Sequence, residues 1–196
     1  AESMFALMPK PVGSPNVSGG VAIGPLTATL PTTAKTALHA SLIKMGYVSD
    51  EGVEPTGDAP TIAEIFAWGG DLVASPQERK GTRKYRFTLI EVFNTDVNNF
   101  VFGVGNVTVT AAGGGNGTRI AVQDKADSPA DSVVVFELAY KGKAIRLVAP
   151  NASVAILSET PFVDNDVQGY ECEITCKPNS SGVYVYRYLE NTDVLP

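Results

Sequence analysis

Short stretches of alternating apolar and polar residues recur along this chain, and turn residues separate them. In 84–91 the apolar side chains of Tyr85, Phe87 and Leu89 share one face, and Lys84, Arg86 and Thr88 share the other. This period of two is typical of a half-buried strand. Similar stretches follow at 107–111, 118–123, 132–140, 143–148, 152–158, 169–177 and 183–190. Many short strands in 196 residues predict a mainly β protein, an antiparallel β-sandwich or partial barrel with one or two short flanking helices.

The segment before 84–91 predicts a hairpin. Residues 61–68 alternate with apolar side chains on both faces, which predicts a strand that is covered on both sides. We place the hairpin tip at 78–83, where Gly81 can supply the positive φ of a tight turn.

Two helices are expected. After the hairpin, Asn94 or Thr95 can cap a helix whose apolar residues Val97, Phe100 and Val101 follow helical spacing, and Gly103 suits its end. A second short helix is predicted over 33–45, ending at Gly46. Residues 1–31 are rich in proline and glycine and predict an extended N-terminal arm with one short strand at 21–23. Residues 32–196 then form a single β domain.

Motifs for catalysis or for cofactors do not emerge. The single His39 has no cysteine near it and no nucleophile motif to serve, so a surface or helix-packing role is favoured. Cys172 and Cys176 are four residues apart on one strand face, too far for a mutual disulfide, and are expected to be buried thiols. Glu171 and Glu173 suit a glycosidase pair or a solvated strand face equally well. We therefore expect no enzyme, cofactor or metal, and neither a signal peptide nor a membrane segment.

Charge is segregated in this chain of net charge −6. The basic residues Arg79, Lys80, Arg83 and Lys84 cluster with Arg86. Two readings stay open: a solvated hairpin tip, or a docking surface for an acidic patch or for phosphates. The net charge disfavours a dedicated nucleic-acid binder. Acidic residues gather in two predicted loops and are the candidate inter-subunit partners of the basic cluster: Asp50, Glu51, Glu54, Asp58, Asp164 and Asp166.

Five motifs, in this order and spacing, resemble the major tail proteins, or tail tube subunits, of long-tailed phages that infect actinobacteria such as mycobacteria. They are MGYVSDEG (45–52), AWGGD (67–71), FTLIE (87–91) with the helix after it, YKGKAIRLV (140–148) and CKPNSSGVYVY (176–186). The resemblance spans residues 46–190.

The resemblance implies a β-sandwich or partial barrel with a flanking helix, in hexameric rings that stack into a tube. Neighbouring hairpins would join in a continuous β-barrel around a lumen through which genomic DNA passes without specific binding. Tape measure and other tail proteins would be partners, and the subunit would assemble in the host bacterial cytoplasm and reside in the virion tail. An alternative is a carbohydrate-binding or adhesive β-sandwich module, with Trp68 and the C-terminal tyrosines as its platform.

Overall fold

The computed structural model describes residues 6–7, 20–140, 143–160 and 168–191. Within them the protein is mainly β, with one α-helix, and every strand pair is antiparallel. The predicted fold class is confirmed: the strands form a sandwich with a short flanking helix. The strands are β1 (Ala6–Leu7), β2 (Val21–Gly24), β3 (Ile43–Lys44), β4 (Val48–Pro55), β5 (Thr61–Ile62), β6 (Ile65–Phe66), β7 (Leu72–Ala74), β8 (Gln77–Arg79), β9 (Lys84–Leu89), β10 (Val107–Thr110), β11 (Arg119–Val122), β12 (Ser132–Tyr140), β13 (Lys143–Glu159), β14 (Tyr170–Cys176) and β15 (Tyr186–Asn191).

The main sheet runs in the order β3-β2-β12-β13-β14-β9-β4 and stays open, with β3 and β4 as its terminal strands. β13 belongs to both layers. Its first half pairs with β12 and β15, and its second half, from Ala152, pairs with β14. The sequence predicted two strands interrupted at Pro150, and this is wrong: the strand continues through the proline as it passes between layers.

The core lies between the two halves of the sheet. Phe136 on β12 meets the rings of Tyr85 and Phe87 on β9 at centroid distances of 5.4 and 5.5 Å. The predicted apolar face of β9 is therefore confirmed as buried. Cys172 and Cys176 on β14 join the same core as free thiols, as expected. Burial raises the pKa of Cys172 to about 12 and that of Cys176 to about 11, so both thiols are protonated at neutral pH.

The helix predicted after the hairpin is confirmed as α1 (Thr95–Phe102). Asn94 caps it by accepting a hydrogen bond from the backbone N–H of Asp96, and Gly103 ends it at φ 90°. Val97, Phe100 and Val101 are buried against the core. The strands predicted at 107–111 and 118–123 are observed as the hairpin of β10 and β11, which packs beside this helix.

The helix predicted over 33–45 is wrong. This segment contains turns and β3, and it lies across the outer face of the sheet. The buried guanidinium of Arg146 donates to the carbonyl oxygens of Thr33 and Thr36 at 2.7 Å each, so these carbonyls are not available for a helix. Arg146 also pairs with Glu137, which Lys44 approaches to 3.5 Å.

The N-terminal region is described only in part. The short strand predicted at 21–23 is observed as β2, which is built into the sheet with Val21 fully buried. The rest of the predicted N-terminal arm before residue 20, apart from β1, lies outside the described residues.

Candidate interaction surface

The region with the most exposed apolar surface is a hairpin that we call the projecting hairpin, residues 61–79. β5 pairs with β8 and β6 pairs with β7. Its turn is at Trp68, Gly69 and Gly70: the N–H of Gly70 donates to the Ala67 carbonyl at 3.0 Å, and both glycines have positive φ. The predicted tip at 78–83 is therefore wrong. Gly81 lies at the other end of the hairpin and does not have positive φ.

The projecting hairpin is exposed, although its first strand was predicted to be covered on both sides. Trp68, at the turn, is fully exposed. Five further large apolar side chains are more than half exposed: Ile62, Ile65, Phe66, Leu72 and Val73. The sequence predicted one strand over 61–68, and the structure has two short strands there, β5 and β6, which no layer of the described chain covers. So many exposed large apolar side chains on one hairpin are uncommon on a monomer and are typical of an interaction site.

Two closely spaced chain segments, residues 56–58 and 80–84, connect the hairpin to the main sheet, and we call them the root. The backbone N–H of Asp58 donates to Thr82 Oγ1 at 2.8 Å, and the N–H of Thr82 donates to the Asp58 carbonyl at 3.0 Å. The two chain segments approach closely because both carry glycine. A Cβ on Gly57 would lie 2.4 Å from the Thr82 carbonyl oxygen, and one on Gly81 would lie 2.8 Å from that of Asp58.

The predicted basic cluster lies at the root and directly beside it, not at a tip, and its members have different partners. Lys84 forms an ion pair with Glu173 at 3.0 Å within the chain. Arg79, Lys80 and Arg83 are exposed and make no ion pair with the described residues. Three free cations thus sit where the apolar hairpin meets the sheet.

The acidic residues predicted to be inter-subunit partners of the basic cluster also do not lie together. Asp50, Glu51 and Glu54 lie on the edge strand β4 rather than in a loop. Glu54 is held by Arg86 at 2.6 Å, and Asp58 belongs to the root. Asp164 and Asp166 lie outside the described residues.

An acidic groove crosses the outer face of the sheet beside β4. Residues 49–52 bulge out of the pairing between β4 and β9, and β13 has a second irregularity near Leu157. Between these two bulges the groove has a volume of about 840 Å³, in the range that takes a ligand or peptide segment rather than one ion. Its charged lining is Glu51, Glu54, Arg86, Glu159 and Glu171. Sequence reasoning missed Glu159, whose position depends on where β13 ends.

Ion pairs order the floor of the groove. Arg86 contacts Glu54 at 2.6 Å and Glu171 at 3.5 Å, whereas Glu51 and Glu159 have no cation partner among the described residues. Next to them, Glu173 is partly desolvated, which by itself raises the pKa. Hydrogen bonds from Thr56 and Lys84 outweigh this and lower the pKa of Glu173 below its usual value. The predicted carboxylate pair Glu171 and Glu173 is therefore placed in ion pairs on a strand face.

The remaining candidate residue from the sequence is His39, and the sequence predicts neither a metal site nor a membrane segment. His39 is exposed, and its Nδ1 lies 2.8 Å from Ser41 Oγ. In the part of the chain that the structure describes, no three His, Cys, Asp or Glu side chains are grouped to hold a metal ion. Over the same residues, no helix has the length and apolar character needed to cross a bilayer.

The chain was compared with known proteins: no protein-family model matches it, and no curated protein matches it significantly.

Proposed function

We propose that this chain is a structural subunit that assembles with further copies of itself. The observation that carries the proposal is the projecting hairpin, whose large apolar side chains are exposed on both strands and at the turn. Exposed apolar surface of this extent is unfavourable in water, and covering it with another chain removes that cost. Among the described strands, β3 and β4 are the edges of the main sheet, and their outer sides offer further positions for a second chain to pair.

The resemblance to phage major tail proteins supplies the form of the assembly. In our proposal, hexameric rings stack into a tail tube that conducts genomic DNA during infection, assembled in the host cytoplasm and placed in the virion tail with the tape measure and other tail proteins. The role is structural and not catalytic. The mainly antiparallel sandwich with one flanking helix is compatible with this form, and a net charge of −6 suits DNA that passes without being held.

A carbohydrate-binding or adhesive module is the second candidate, favoured by the fully exposed Trp68. The C-terminal tyrosines do not add to such a platform. Tyr186 and Tyr188 stack on each other at 6.3 Å and pack under the segment that contains Leu30 and Leu38.

Electron microscopy and sedimentation of the purified chain over a range of concentrations test the proposal. The matched variant replaces residues 61–79 with a short glycine-serine linker and keeps the root. We expect tubes or rings from the unaltered chain and folded monomers from the variant, which loses no core residue. Equal assembly by both chains would contradict the role of the hairpin. An unaltered chain that stays monomeric and binds immobilised polysaccharide through Trp68 would favour the second candidate.

A further inference from the structure

The projecting hairpin is apolar on both of its faces, not on one. Residues paired across an antiparallel ribbon share a face, and neighbours along a strand point to opposite faces. Ile65 pairs with Ala74 and Phe66 pairs with Leu72, and the register shifts between the two pairs, with Val73 as the extra residue on β7. On β6, Ile65 and Phe66 are consecutive and therefore point to opposite faces, and both side chains are more than half exposed.

One flat partner covers only one face of such a ribbon. A hairpin that docked by one face alone would keep either the isoleucine face or the phenylalanine face in water. Amphipathic ribbons that pack one-sidedly alternate apolar and polar residues, and the outer half of this ribbon does not. The pattern is that of a strand pair enclosed between two layers.

The charged residues near the hairpin indicate that the covering layers are other copies of this chain. The root carries Lys80 and Arg83, and Arg79 ends β8 next to it; none of the three has an ion-pair partner among the described residues. The acidic groove on the same chain carries Glu51 and Glu159, which also lack cation partners. A second copy thus offers the complement to the root, and such pairs fix register between subunits more than they add affinity.

We propose that in the assembly each projecting hairpin lies between two other copies of this chain, one against each face, with its root against the acidic groove of one of them. The proposal rests on the self-assembly proposed above. It assigns each hairpin two partners, so that one subunit links two others and the contact propagates instead of closing as a pair.

The test places one charge on each face separately. Ile65→Glu and Phe66→Glu each put a carboxylate where a covered face would leave it without a partner. Gln123→Glu adds the same charge at an exposed polar position outside the hairpin, the root and the groove, and is the matched control. We expect each of the first two variants to raise the critical concentration for assembly by about tenfold or more, and the control to assemble like the unaltered chain.

The outcomes separate this proposal from the proposed function. If only one of the two face variants impairs assembly, the hairpin is covered on one face, and the two-sided arrangement is wrong while self-assembly stands. If the unaltered chain and both variants assemble alike, the hairpin takes no part and the two-sided arrangement is wrong, while self-assembly stands. An unaltered chain that stays monomeric at every concentration overturns the proposed function.

A charge exchange tests the groove. Lys80→Glu and Glu51→Lys should each weaken assembly at low salt, and the double variant should recover it, because exchanged charges restore the pair between copies. A double variant no better than the worse single variant would show that the root does not meet this groove. The readouts are sedimentation and electron microscopy at low and high salt.

Discussion

The glycine at the root allows a prediction with a defined magnitude. In Gly57→Ala the new Cβ would lie 2.4 Å from the Thr82 carbonyl oxygen and 3.0 Å from the Lys84 nitrogen. The first distance is about 1 Å shorter than ordinary van der Waals contact, and both atoms belong to the backbone. We therefore expect the two segments of the root to separate.

Separation removes three hydrogen bonds that surround the glycine: Thr56 N–H to the Lys84 carbonyl, Thr82 N–H to the Asp58 carbonyl, and Asp58 N–H to Thr82 Oγ1. At about 1 kcal/mol each, the local free energy of opening falls by about 3 kcal/mol. Hydrogen exchange at the amides of Thr56 and Thr82 should then accelerate about 100-fold. Amides of the buried strand β12 should keep their protection.

Gly105→Ala is the matched control. A Cβ at this position meets nothing within 4 Å, and the backbone does not have positive φ. Exchange at the root should be the same in this variant as in the unaltered chain. If Gly57→Ala also leaves exchange at Thr56 and Thr82 unchanged, the close approach at the root does not hold the hairpin and the reasoning is refuted.

Three further predictions concern the folded chain, and a fourth concerns its proposed assembly. Phe136→Ala should lower the free energy of unfolding in urea by about 3–5 kcal/mol, because the ring is buried between Tyr85 and Phe87; a loss below about 1 kcal/mol would contradict that core. The pKa of Glu173 is lower in the folded chain than in the unfolded chain, so its carboxylate stabilises the fold fully above the unfolded pKa of about 4.3, and this contribution is lost as pH falls through the folded pKa. Glu173→Gln should therefore reduce the loss of stability at acidic pH in a pH–stability curve. An unchanged loss in this variant would count against the ion pair with Lys84. Iodoacetamide at pH 8 should modify Cys172 and Cys176 far more slowly in the folded than in the urea-unfolded chain, and rapid labelling of the native protein would show that the thiols are accessible. Neither a chelator nor a reductant should change assembly.

Local chemistry made part of this fold predictable. The alternation around Tyr85 and Phe87 indicated a buried face, and the Asn94 cap with Gly103 marked both ends of α1, because these signals depend on residues close in sequence. The helix over 33–45 failed because Arg146, more than a hundred residues away, binds the carbonyls of Thr33 and Thr36. Local spacing contains no information about such a partner.

The candidate site shows a different limit. Residues 61–68 have the composition of a strand covered on both sides, and within the described chain this prediction is wrong, because Ile62, Ile65 and Phe66 are more than half exposed. Apolar composition indicates the strand but does not state whether another layer of the chain packs on it. The tip was misplaced for a related reason: both Gly69–Gly70 and Gly81 suit turns, and only the pairing of Phe66 with Leu72 distinguishes them.

The passage of β13 through both layers has a mechanical consequence. Its first half is hydrogen-bonded to β12 along one edge and to β15 along the other, and its second half is hydrogen-bonded to β14, so a single covalent strand runs through both layers of the sandwich. A force applied at either layer is therefore carried to the other along the backbone and not only through side-chain contacts. Pulled by its projecting hairpin, the chain should open first at the root, where three hydrogen bonds resist, while the sandwich stays folded.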